Sequence, residues 1–238
     1  MTQQELATPQ PHPELEQLIA VLEQLRAPGG CAWDAEQTHE SLVRYLIEET
    51  YELIDAIESG SREELIEELG DVLYQVIFHS DIAAHTPGEE FTLEDVAAHM
   101  TAKMVGRHPH VYGQLADELA ANAITDTASD VNARWDEIKK TEKPSRTSVL
   151  DGVPQGMPAL ALADKLLGKA EKLGMSAPHL VARLELASDA GDAETEDELG
   201  AQLLEIVSSA RANGLDSERA LRSALRALQD EMRVAERA

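Results

Sequence analysis

The chain has 238 residues, enough for one large domain or two small ones with real cores. Its 45 Asp and Glu against 20 Lys and Arg leave a net charge of -25, which argues against nucleic acid and anionic membranes as partners and requires a divalent cation or a local basic pocket for any phosphate-bearing ligand. A single cysteine, Cys31, excludes a disulfide framework and fits a reducing, cytoplasmic setting; no apolar run reaches a membrane span, and the N-terminal MTQQELATPQPHPELEQ has neither segment of a signal peptide.

Aromatics make up only 3%, runs of alternating β-branched residues are missing, and all ten prolines fall where periodic segments stop. The expected fold is all-α. Residues 1–13 read as a disordered, proline-punctuated tail. A helix is expected from Pro13 to Arg26, with Leu15, Leu18, Ile19, Leu22 and Leu25 as its apolar stripe, and Ala27-Pro28-Gly29-Gly30 breaks it. The following Cys31–His39 reads as a polar loop. Its Trp33 serves either as a lid on the core or as the wall of a pocket beside the next helix. His39 is placed to cap or orient that helix.

Ser41 to His79 holds two acidic clusters of matching form, Glu48-Glu49-Thr50-Tyr51-Glu52 and Glu67-Glu68-Leu69-Gly70-Asp71. Each sets carboxylates three residues apart, so they project from neighbouring turns of one side of a helix. In the first helix the stripe is Leu42, Val43, Leu46, Ile47, Leu53, Ile54 and Ile57, and Glu49 and Glu52 share one shoulder of it, with Tyr45 on the same side. The second repeats the plan, with Leu65, Ile66, Leu69, Val72, Leu73, Val76 and Ile77 as stripe and Glu68 and Asp71 on the shoulder. One such cluster alone is common on solvated surface. Two, joined by the short turn Ser59-Gly60-Ser61, predict an antiparallel pair whose four carboxylates converge and need a cation between them. An oxygen-only set suits Mg²⁺, with Mn²⁺ as the alternative; a di-iron bundle would want Glu-x-x-His pairs.

After Thr86-Pro87-Gly88, Thr92 and Asp95 form a capping box for a helix from Leu93 to about Arg107. Its last turns carry Lys103 and Arg107 on one face, followed by His108-Pro109-His110. Basic residues at a helix C-terminus favour the macrodipole, yet in so acidic a chain they also suit capture of phosphate oxygens. Residues 114–123 are ambiguous. Thr127 to Asp130 caps a helix to about Thr141 with Trp135 and Lys139 one turn apart. Residues 143–158 have linker composition. Residues 159–238 read as a worn copy of the first unit: Asp197-Glu198-Leu199-Gly200-Ala201 repeats the second acidic cluster with alanine in place of Asp71, and no EExxE precedes it.

GCAWDAEQTH, the EExxE and EELGD pair, KMVGRHPHVYG and ARWDEIKK stand in the order seen in the MazG nucleoside triphosphate pyrophosphohydrolases, which the chain resembles closely over residues 14–142 and weakly beyond 155. The resemblance implies an all-α NTP pyrophosphatase bundle, cleavage of a nucleoside triphosphate to monophosphate and pyrophosphate in nucleotide-pool house-cleaning, and a homodimer or higher oligomer. It implies Mg²⁺ on Glu49, Glu52, Glu68 and Asp71, with Lys103, Arg107, Trp135 and Lys139 on the nucleotide. The spare carboxylate, Glu48, is the candidate general base; Trp33 or Trp135 is the candidate to border the base or sugar, and Tyr45 either lines the same pocket or packs in the core. Two other readings stay open: an enzyme for one particular nucleotide (dCTPase-like or phosphoribosyl-ATP type), and a non-catalytic helical interaction module.

Overall fold

The computed structural model describes residues 11–112, 127, 130–131, 134–135, 138, 142, 147–175, 180 and 195–237. All regular structure among them is helical. The chain forms two compact units, Met1–Lys139 and Lys140–Ala238.

The first unit begins with α1, Pro13–Arg26. Proline at the first helical position has its φ preset and no amide to satisfy there, and Glu14 and Glu16 complement the macrodipole. Residues expected as a loop contain a one-turn helix, α2, Ala32–Glu36. The cause is tertiary: Arg26 Nη1 donates to the Asp34 carbonyl at 2.5 Å, and Asp34 is buried.

The acidic hairpin is α3, His39–Ser59, and α4, Arg62–His85. Both start with a complete capping box, Thr38 with Ser41 and Ser61 with Glu64. Gly60 makes the turn, where an added Cβ would lie 2.7 Å from Ala56 Cα. Helix α5, Leu93–Arg107, is boxed by Thr92 and Asp95, and a short turn of helix, α6, Pro109–Tyr112, follows it. Helix α4 is the hub, packing on α1, α3 and α5.

The core joins Leu22 of α1, Leu42 of α3 and Ile77, Phe78 and Ile82 of α4, flanked by Leu18, Ile19, Tyr45, Tyr74 and Leu93. Each such side chain contributes about 1.5–3 kcal/mol on burial. Arg26 closes one side, over the Phe78 ring and 2.5 Å from Asp81 Oδ2. The core takes only part of the expected stripes. Val43, Leu46, Ile47 and Ile57 of α3 and Ile66, Leu69, Leu73 and Val76 of α4 are exposed, Ile57 at 64%. Two helices meet along one line, and these residues lie beyond it.

In the second unit, α7 (Ala159–Lys172), α8 (Glu196–Ala212) and α9 (Ser217–Ala235) pack together. Leu167, Ala201 and Val207 are buried. Arg211 bridges Asp164 at 3.0 Å and Glu171 at 3.1 Å. Its guanidinium lies over Gly168, where any Cβ would come within 2.5 Å of it. Within the Pro/Gly-rich segment before α7, Val153 is buried, and Lys169 donates to the Val149 carbonyl. No helix among the described residues is long and apolar enough to cross a membrane.

Candidate functional site

The antiparallel hairpin brings Glu49 of α3 together with Glu68 and Asp71 of α4. All three are half-buried, and one ligand atom from each lies within 4.8 Å of the other two. Glu68 Oε2 is shut off from solvent and has no hydrogen-bond partner. Desolvation raises the Glu49 carboxyl above its ordinary value, and repulsion from Asp71, Glu52, Glu68 and Glu48, in decreasing order, adds to it. Glu68 is raised by desolvation and then by Glu52, Asp71, Glu67 and Glu64. The fold thus holds negative charge where charge is costly.

Glu52 is exposed and outside the tight trio, but its field reaches both Glu49 and Glu68. Glu48 is exposed as well and is the weakest of the four charges acting on Glu49. One turn before Glu49, Tyr45 meets Trp33 edge-to-face at 5.7 Å. Arg44 lies over the Tyr45 ring at 4.4 Å and donates to its hydroxyl. Trp33 is 49% exposed, so an aromatic surface with a cationic cap stands open beside the acidic trio.

Lys103 and Arg107 are half-buried on the last turns of α5. Trp135 docks there: its indole Nε1 donates to the Arg107 carbonyl at 2.8 Å, and its ring meets His108 edge-on at 5.2 Å. His108 also bonds the Met104 carbonyl and lies 5.5 Å from His110. The polar atom of Trp135 is therefore spent on holding the end of α5. Lys139 lies outside the described residues.

One polar group joins the two helices of the hairpin and the turn after them without any signal in the acidic motifs. His39, the first residue of α3, joins His79 of α4 and Glu89 of the α4–α5 turn. Residues 40 and 50 positions apart show no periodicity that could link them.

Paired carboxylates on a helical hairpin, with cationic and aromatic groups on neighbouring elements, are a donor set that could hold a cation and a polyanion. The MazG nucleotide pyrophosphohydrolase domain matches residues 37–112, which hold the hairpin and α5. A nucleoside triphosphate pyrophosphohydrolase of Mycolicibacterium smegmatis is 42% identical over 87% of the chain, which covers 61% of that protein's length. The nucleoside triphosphate pyrophosphohydrolase/pyrophosphatase MazG of Thermotoga maritima is 38% identical, over 89% of the chain and 81% of its own. A nucleoside triphosphate pyrophosphohydrolase of Escherichia coli is 33% identical, over 94% and 88%. The chain belongs to the MazG nucleoside triphosphate pyrophosphohydrolase family.

Proposed function

We propose that this chain hydrolyses nucleoside triphosphates to monophosphate and pyrophosphate with Mg²⁺, or Mn²⁺ in its place, as a house-cleaning enzyme of the cytoplasm. The observation that carries the reading is the Glu49–Glu68–Asp71 trio within 4.8 Å, with the Glu49 and Glu68 carboxyls held above their ordinary range. The residues fit a hard cation: the donors are all oxygen, and Glu68 Oε2 is a buried acceptor without a donor. Glu49, Glu68 and Asp71 would hold the ion, with Glu52 completing the set. When bound, Mg²⁺ supplies charge that reconciles these carboxylates with the triphosphate.

The remaining work falls to side chains. Lys103, Arg107 and Lys139 hold phosphate oxygens and offset their charge. Trp33 and Tyr45 border the base or sugar, and Trp135 positions the end of α5. Glu48 takes a proton from the attacking water. Water adds to the α-phosphorus, the bond to the bridging oxygen breaks, and pyrophosphate departs with that oxygen.

Residues 14–142 form the catalytic domain in this reading. Residues 143–158 connect it to a degenerate MazG-like unit, 159–238. The fully buried Ala201, standing where Asp71 does in the first unit, supports a second unit kept for packing. The exposed apolar face of α3 and α4 supports a homodimer or higher oligomer. Pyrophosphate release across a panel of normal and damaged nucleoside triphosphates, with and without Mg²⁺, tests the activity and ranks the bases. No metal-dependent release from any of them would overturn the reading.

A further inference from the structure

The α3 helix that carries Glu49 begins at His39, and His39 touches α4, which carries Glu68 and Asp71, and the turn leading to α5. Its Nε2 lies 2.8 Å from Glu89 Oε2, in the turn leading to α5, and its Nδ1 lies 2.7 Å from Nδ1 of His79 on α4. The two ring planes are 3° from parallel with centroids 5.0 Å apart, which sets the rings edge to edge along the shared N···N contact. Glu89 accepts, so His39 Nε2 carries a hydrogen. Two nitrogens 2.7 Å apart hold one proton between them, because a second would set N–H against N–H. The far nitrogen, His79 Nε2, is buried with no partner, so a proton placed there gains nothing.

We infer that His39, His79 and Glu89 are positioning residues for the acidic site: they lock α3, α4 and the turn before α5 together through one shared proton, and the lock opens in acid. The inference rests on the reading of the Glu49–Glu68–Asp71 trio as the active site. Acid sensitivity follows from the surroundings. Burial, and then His39, lower the pKa of His79. The unfolded chain takes up a proton there near the ordinary value of about 6.5 while the folded chain refuses it, so stability is full above that value and is lost as pH falls below it. Among the described residues, the charged or titratable group facing His79 from α3 is His39, with Glu89 of the α4–α5 turn reached through it. From α1, Arg26 is committed to Asp81. From α5, Asp95 is committed to the Thr92 cap.

The experiment compares the full chain with His79→Gln and Glu89→Gln. Melting temperatures are read from about pH 7.5 down to 5.5 at saturating Mg²⁺, beside the pH profile of pyrophosphate release. Glutamine at 79 keeps a donor for His39 without titrating. Taking the difference from wild type cancels the contribution of the carboxylates. Wild type is expected to lose about 2–4 °C more than His79→Gln over this range. Glu89→Gln replaces the carboxylate acceptor of His39 Nε2 with a neutral amide and so alters the anchor of the pair, and the acid limb of activity shifts. Parallel melting curves for wild type and His79→Gln would overturn the inference. If that variant does not fold, an acid limb unmoved in Glu89→Gln would do so. The melting comparison stands even if no triphosphate is hydrolysed, so the lock and the activity fail separately.

Discussion

Glu49 and Asp71, on antiparallel helices and 22 positions apart in sequence, face each other closely enough that Asp71 is the strongest charge raising the Glu49 carboxyl. Such a pair costs free energy at neutral pH. The folded state holds protons that the unfolded state releases, so this contribution worsens as pH rises through the ordinary carboxylate range.

A cation should reverse that cost. Mg²⁺ at about 100 times its dissociation constant stabilises by about 2.7 kcal/mol, which for a chain of this length raises the melting temperature by roughly 5–10 °C. Thermal melts with Mg²⁺ and with Na⁺ at matched ionic strength measure it. Asp71→Asn is expected to lose most of the rise.

Neutralising one carboxylate should separate function from fold. Glu68→Gln removes repulsion at Glu49 and Asp71, so the metal-free protein should be no less stable than wild type in urea. Its turnover should fall by more than about 100-fold, since losing even an outer partner of a metal ligand costs 10–100-fold. Chemical denaturation alongside pyrophosphate release makes the comparison.

Core and exposed face should respond differently. Leu22 is fully buried against α4, and Leu22→Ala should cost about 2–5 kcal/mol in denaturant unfolding. Ile57 is 64% exposed, and the double variant Ile47→Glu, Ile57→Glu should leave helical content unchanged. In light scattering after gel filtration it should shift the chain toward monomer.

Much of this architecture was legible in the residues. Thr92 and Asp95, three apart before an apolar stripe, mark the start of α5 because capping is local chemistry. The α3–α4 hairpin follows from a two-residue turn between matched stripes. Tertiary causes were not legible. α2 exists because Arg26 reaches the Asp34 carbonyl, which no pattern within residues 31–39 records. Periodicity marks Ile57 and Ile66 as apolar positions but says nothing about whether anything covers them. A helical wheel pairs Glu49 with Glu52, whereas the register between two helices decides that Glu49, Glu68 and Asp71 form the tight trio. His39, His79 and Glu89 meet only because three elements converge.

The indole of Trp135 offers a test of positioning near the basic residues. Trp135→Phe keeps a ring against His108 but removes the donor to the Arg107 carbonyl. The expected cost is about 1 kcal/mol of stability. KM should rise more than kcat falls, as steady-state kinetics would show.

The central claim is that the carboxylate trio directs cleavage at the α-phosphorus. Product analysis after incubation of a nucleoside triphosphate with Mg²⁺ tests it most directly, for wild type and Asp71→Asn. Monophosphate and pyrophosphate in equal amounts from wild type, and almost none from the variant, are predicted. Diphosphate with inorganic phosphate as products, or undiminished turnover by Asp71→Asn, would contradict it.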